Sequence, residues 1–442
     1  MRPHLLSLAA GTLTALATIG CADQTPTAPL SRFSPVASAA VTSVEEPATG
    51  PWARIVRGET GPGSLYAIHV PRNWNGGAVH YVHGIRPPLH PITLDGVKLD
   101  GITPEENGQD GFFAVREGLG EKGYAFVYSS FSENGLALKD GAQRTHQLRG
   151  LVASELSGQP QRNFLVGYSL GALVALNLAE RFPDQYNGVL AACGMVGGTM
   201  RELQYIGDVR ALFDVFYPRV LPGSPITPSD TAVSLADVQK LVVGAVLRNP
   251  VGMFAIASTA QTPLAFVPGN LIDRTHPTFP AAFNSMLGSL VTALYYQLIG
   301  IPDVLDRTHN HSPYGNVGVT YTPGRLVIPD PHGLLAGAIA MADRNVARFE
   351  MSDDARNYFT KYYEPTGRLA IPALTIHNLL DPLVPVSHEI AFAGTVAAAG
   401  SSAMLLQRFV PNYAHCTFDK NLIVNSVVDL DVWATTGTKP QR

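Results

Sequence analysis

Between residues 52 and 193, short apolar runs take turns with stretches of helical period, and few folds accept that order. The spacing predicts strands over 52–58, 64–70, 77–82, 124–130, 163–166 and 188–193. It predicts helices near 110–122, over 140–156 and over 170–182. A strand, a helix and a second strand close as a right-handed crossover, so the alternation implies a largely parallel sheet with flanking helices. The pattern stops at 200. Residues 200–366 read as helices and loops, with apolar stretches at 234–247, 279–300 and 333–349. Alternation resumes as strand 371–377, helix 386–399, strand 404–410 and helix 421–435. The simplest parse is one α/β core, 51–199 with 367–442, interrupted by a helical lid insertion, 200–366.

Composition excludes several classes. Charged residues are only 15% of the chain, against a usual ~25%. Hydrophobic residues at 46% rule out an intrinsically disordered chain, and the low Glu and Lys content rules out a coiled coil. A net charge of −4 argues against nucleic acid as a partner, since binding it releases counterions through clustered cations. The missing charge is concentrated rather than spread. Residues 275–302 hold no Asp, Glu, Lys or Arg. That stretch reads as a buried or pocket-lining lid helix. A membrane span fits the length, but Pro280, Asn284, Ser285, Ser289, Thr292 and Gln297 dilute it, and ordinary packing within the lid is the third reading.

The N-terminus is the other uncharged region. Arg2 precedes an apolar run over 5–19, and small residues lead to Cys21. This is the pattern of a secretory signal over 1–20. Thr-Ile-Gly-Cys also resembles a bacterial lipobox, with Thr18 where that motif prefers Leu. The expectation is an exported chain, held at the membrane of the cell envelope by a lipidated Cys21. Plain secretion, periplasmic or extracellular, is the alternative. Residues 22–50, rich in Ala, Pro, Ser and Thr, read as a flexible tether.

Gly167-Tyr168-Ser169-Leu170-Gly171 follows a short apolar strand and opens an amphipathic helix. The pentapeptide alone is weak evidence. Its setting is what a nucleophilic serine needs: a sharp strand-to-helix turn lifts the hydroxyl to a helix N-terminus, where developing negative charge is favoured. The bland alternative is a serine capping a helix. A serine hydroxyl needs a histidine to take its proton. His415 follows the strand ending at Val410 and precedes the last helix, so it is the expected base rather than a mere loop or capping residue. Asp381 lies beyond strand 371–377, in the run His377-Asn378-Leu379-Leu380-Asp381-Pro382. Its carboxylate would fix the imidazole tautomer, although an Asp before Pro also starts turns. Glu133 and Asp208 are rival acids without a matching loop.

With these residues in order, the chain resembles the α/β-hydrolase superfamily. The GYSLG turn, His83-Gly84 after an early strand, the HNLLDPLVP loop and the late His415 carry the resemblance. Members often have Gly where Asn378 stands. The resemblance implies an oxyanion hole built from the backbone N–H groups of Leu170 and Ile85. Cys416 after the histidine is similar to tannases and feruloyl esterases, in which that cysteine is bridged to one just before the serine. Here Tyr168 stands before Ser169, which breaks the pattern. Cys193 ends the strand beside the nucleophile strand, so a Cys193–Cys416 disulfide bracing the His415 loop is expected. Two thiols of no special role are the alternative.

The expected activity is hydrolysis of carboxylic esters with apolar or aromatic acyl groups, small or polymeric, through a Ser-His-Asp triad and an acyl-enzyme, with no cofactor. An exported peptidase of the prolyl-aminopeptidase kind is the second reading. It would need acidic residues facing Ser169, for which Glu202, Asp303 and Asp306 are available. A non-enzymatic surface lipoprotein of the same fold is the third. His309 and His311 form a His-x-His without a nearby third ligand, so they read as loop residues, and no metal is expected.

Overall fold

The computed structural model describes residues 44–46, 48–94, 111–156, 158–268, 278–324, 328–362 and 364–441. The signal sequence, Cys21 and nearly all of the tether lie outside them. Nine strands form one sheet, in the spatial order β1-β2-β3-β5-β4-β6-β7-β8-β9. The first three, β1 (Val44–Glu46), β2 (Trp52–Glu59) and β3 (Leu65–Pro71), run antiparallel and form one edge. The sheet therefore begins at Val44, inside the stretch read as tether. From β5 (Ala125–Ser129) and β4 (Gly77–Val82) onward, the pairing with β6 (Arg162–Tyr168), β7 (Gly188–Ala192), β8 (Ala373–Leu380) and β9 (Leu405–Tyr413) is parallel.

Burial on both faces explains why these strands read as unbroken apolar runs. Every residue of β4, β5 and β7 is buried. Helices α1 (Gly111–Glu121) and α11 (Lys420–Thr436) cover one face through Phe112, Leu119, Ile423 and Leu430. On the other face lie α2 (Leu138–Glu155) and α3 (Leu170–Arg181), and α3 buries nine of its twelve residues. This is the α/β-hydrolase fold that the resemblance implied. Its strand order puts β4, β6, which leads into Ser169, and β7 side by side, and their C-terminal ends open on one crevice.

Among the described residues, six helices stand between β7 and β8: α4 (Thr199–Phe216), α5 (Leu235–Arg248), α6 (Pro250–Ala257), α7 (Thr278–Arg307), α8 (Leu334–Asn345) and α9 (Asp353–Tyr362). Their apolar faces join α3 in one continuous core. Most of the uncharged stretch belongs to α7, where Ala282, Met286, Leu290 and Leu294 are fully buried in that core. No single helix among the described residues is long and apolar enough to cross a membrane.

Candidate active site

The serine turn is strained, and its glycines leave no room for substitution. Ser169 has φ 53° and ψ −122°, a conformation uncommon for a residue with a side chain. A Cβ at Gly167 would come within 2.2 Å of the Gly171 carbonyl oxygen, and one at Gly171 within 2.1 Å of that of Val82. The G-x-S-x-G spacing is thus the condition for the turn to close. The Ser169 N–H donates to the Ala192 carbonyl at 3.0 Å, which anchors the turn to β7.

Ser169, His415 and Asp381 come together although 212 and 34 residues separate them along the chain. His415 Nε2 lies 2.9 Å from Ser169 Oγ, and His415 Nδ1 lies 2.7 Å from Asp381 Oδ2. A carboxylate only accepts, so Nδ1 carries hydrogen and Nε2 presents its lone pair to the serine hydroxyl. Asp381 is buried, and its other oxygen accepts from the N–H groups of Leu383 and Val384, each at 2.9 Å. The rival acids are occupied elsewhere. Glu133 pairs with Arg307 at 2.8 Å, and Asp208 accepts from the hydroxyls of Tyr314 and Tyr321.

Three contacts hold the loop that carries His415. Cys193 and Cys416 form a disulfide with their Cα atoms 5.2 Å apart. Asn378 Nδ2 donates to Thr417 Oγ1 at 2.6 Å, so the residue that departs from the usual Gly ties the acid strand to this loop. Tyr413 Oη donates to the Ser285 carbonyl at 2.7 Å and lies 3.1 Å from Ser289 Oγ, both on α7. The Tyr413 contact crosses 128 residues and has no signal in the sequence.

Also beside Ser169, β4 leads into the turn His83-Gly84-Ile85. His83 stacks on Phe131 at 3.7 Å and makes a 2.8 Å hydrogen bond with the Gly84 carbonyl. Burial, reinforced by the charge of Arg86, pushes this imidazole down to about 3. It is therefore neutral, and it shapes the turn. A Cβ at Gly84 would lie 3.1 Å from that of Ser169, so the backbone passes directly beside this serine. Leu170 opens α3, and its N–H has no acceptor within the helix.

The cavity above Ser169 is almost entirely apolar. Ile85, Met195, Leu203, Ile206, Leu383 and Val384 line it, and the C-terminal part of α7 closes it with Tyr296, Ile299 and Ile301. Among the described residues of the uncharged stretch, only that end borders the cavity. Two of the three candidate amine-binding acids also line it. Asp303 already accepts from Arg307 at 3.0 Å and from the Leu136 N–H at 2.6 Å. Glu202 is buried 3.1 Å from His388 Nε2, and burial with the charge of Asp381 holds its carboxyl well above the usual range. Asp306 is not among the lining residues. His309 and His311 sit in the exposed loop after α7, where His311 pairs with Asp354 at 3.3 Å.

Residues 139–236, which include Ser169, match the protein-family model Esterase. "Probable feruloyl esterase B-2" of Aspergillus flavus is 29% identical over 130 residues, which cover 28% of this chain and 23% of that relative. The chain thus matches less than a quarter of the relative's length. Feruloyl esterase B of Aspergillus oryzae is similar in structure at 13% identity and a TM-score of 0.46, over 92% of this chain and 86% of that one. Candida antarctica lipase A is similar at 13% identity and a TM-score of 0.43, over 91% and 83%.

Proposed function

We propose that this chain is a serine hydrolase that cleaves carboxylic esters of apolar or aromatic acids. The unbroken line of contacts from Ser169 through His415 to Asp381 is the observation that carries the reading. Ser169 Oγ attacks the ester carbonyl while His415 Nε2 takes the hydroxyl proton. The N–H groups of Leu170 and Ile85 hold the resulting oxyanion, where a single donor is worth ~3 kcal/mol. The tetrahedral centre collapses, His415 returns the proton to the departing alcohol, and an acyl-enzyme remains. Water, deprotonated by the same imidazole, then releases the acid and regenerates Ser169.

Apolar walls favour an apolar or aryl acyl group, and the match to Esterase agrees with an ester substrate. The helical block 200–366 serves as the lid of this pocket. A peptidase that grips a substrate ammonium fits less well. Asp303 is already neutralised by Arg307, and Glu202 favours its uncharged form. Export, with or without lipid on Cys21, agrees with a disulfide that needs an oxidising compartment.

A fluorophosphonate probe and two substrate sets test the reading. Wild type should be labelled covalently, and Ser169→Ala should not. p-Nitrophenyl esters should turn over at least ~100-fold faster than aminoacyl p-nitroanilides. Equal labelling of both proteins, or a preference for the anilides, removes the proposal.

A further inference from the structure

Behind the catalytic acid lies a second buried imidazole that the reaction does not use. His377, on β8, is wholly buried, and so is Glu389 on α10 (Ser387–Ala398). His377 Nε2 lies 2.9 Å from the Val384 carbonyl oxygen, which can only accept, so Nε2 carries hydrogen. Nδ1 lies 3.3 Å from Glu389 Oε1, an ion-pair distance off the line of a good hydrogen bond. The other oxygen of Glu389 takes donors from Thr375 at 2.5 Å and Gln407 at 2.6 Å, as a carboxylate does. Both ring nitrogens therefore face acceptors. His377 Nε2 is also 3.9 Å from Asp381 Oδ2.

We propose that His377 is a positioning residue: a buried imidazolium that clamps the 381–384 loop and offsets the charge of Asp381. The clamp closes on Val384. Its N–H donates to Asp381, and its carbonyl accepts from His377. Two buried carboxylates, Asp381 and Glu389, flank this one cation. Burial alone would push the imidazole down, but the adjacent Glu389 carboxylate, with Asp381 and the Val384 carbonyl, raises it.

The remaining neighbours supply no second cation at that point. His388, next to Glu389 on α10, accepts the Gly197 N–H at Nδ1 at 3.2 Å. Burial and the nearby charges of His377 and Arg201 push it well down, so it is neutral. It faces Glu202 of α4, whose carboxyl favours its uncharged form. Gln407, from β9, is neutral.

The inference rests on the triad reading for its kinetic consequence, but its charge state is testable without turnover. In uniformly 15N-histidine-labelled protein, the ring signals lost in His377→Gln identify this residue. They should show two protonated nitrogens at pH 7, with the second proton lost at higher pH than in an ordinary histidine. A single-tautomer neutral ring at pH 7 overturns the proposal, whatever the enzyme hydrolyses. For the kinetics, kcat/KM on a p-nitrophenyl ester is followed against pH. His377→Gln leaves Glu389 unbalanced beside Asp381, and the added negative charge makes His415 hold its proton to higher pH. The acid limb should move up by about one unit, with kcat/KM down about tenfold on the acid side of the limb and unchanged on its plateau. His377→Gln/Glu389→Gln restores neutrality and should bring the limb back. A fall in activity with an unmoved limb means a structural role only and also overturns it. A wild type inert toward every ester counts against the function, while the 15N result still decides on His377.

Discussion

A Cβ added at Gly84 would lie 3.1 Å from Cβ of Ser169 and 3.7 Å from its Oγ. That contact is tight enough to displace a neighbour by a few tenths of an ångström, yet too mild to stop folding. At Gly171 the same methyl would meet the Val82 and His83 carbonyl oxygens at 2.1 and 2.4 Å, where neither side can yield. Gly84→Ala should therefore lower kcat about 10- to 100-fold, because it shifts the nucleophile against the oxyanion donors, while Tm falls by only a few degrees. Steady-state kinetics beside a thermal melt checks this, and a variant with full kcat contradicts the close approach. Such constraints explain why Ser169 was readable from the sequence. The two glycines around it have one spacing and one steric reason. His377 was not readable in the same way. It appeared only as the end of a strand, since the role comes from Glu389 on another element and from the fold of the loop after it. Asn378 is a minor departure in the sequence, and only the fold brings it within 2.6 Å of Thr417.

At the scale of elements, α7 does more than cover the cavity. Its N-terminal half, through Ser285 and Ser289, is hydrogen-bonded to Tyr413, two residues before His415. Its end is fixed to the loop after β5 by three contacts. Asp303 accepts the Leu136 N–H, and Arg307 reaches both Glu133 Oε2 and the Asn134 carbonyl at 2.8 Å. The helix therefore braces the histidine loop as well as roofing the site. Tyr413→Phe removes the hydroxyl that bonds α7 and keeps the ring. It should cost about 1 kcal/mol in stability and lower kcat/KM several-fold. Urea denaturation and ester kinetics measure the two effects, and unchanged kinetics would show that the brace is idle. The sequence made the element order and the uncharged stretch visible, because period and composition are local properties. It could not tell which end of that stretch borders the cavity, since this depends on how α7 lies across α4. Nor could it place β1, three residues long, in a stretch whose composition favours a linker.

Across the whole molecule, buried titratable groups fall into two sets that respond to acid in opposite ways. In the sheet and the turn just after β4, burial pushes His69 and His83 down to about 3 and His80 to about 4. These rings are neutral when folded and free to charge when unfolded. Their contribution is fully present above pH 6.5 and is lost as pH falls toward 4, at about 1.4 kcal/mol per unit for each ring. Among the carboxyls around the helical block, burial raises Glu202 and Asp208, and it raises Glu364 to about 7. Glu364 takes up its proton in the folded state first, so it adds stability as pH falls from 7 toward 4.5. It sits at the start of α4, where it accepts the Met200 N–H at 2.8 Å. The net pH dependence of folding is then a difference between the two sets, and single variants should separate them. His80→Gln keeps a donor for Asn163, which the ring now meets at 3.0 Å, and removes the charging step. Relative to wild type it should gain about 2 kcal/mol between pH 7 and pH 5. Glu364→Gln should lose stability over the same interval, by a smaller amount because the group is only half-buried. Urea denaturation of the three proteins at both pH values gives the comparison. Two variants that shift in the same direction would mean that one of these groups does not carry the charge state assigned to it.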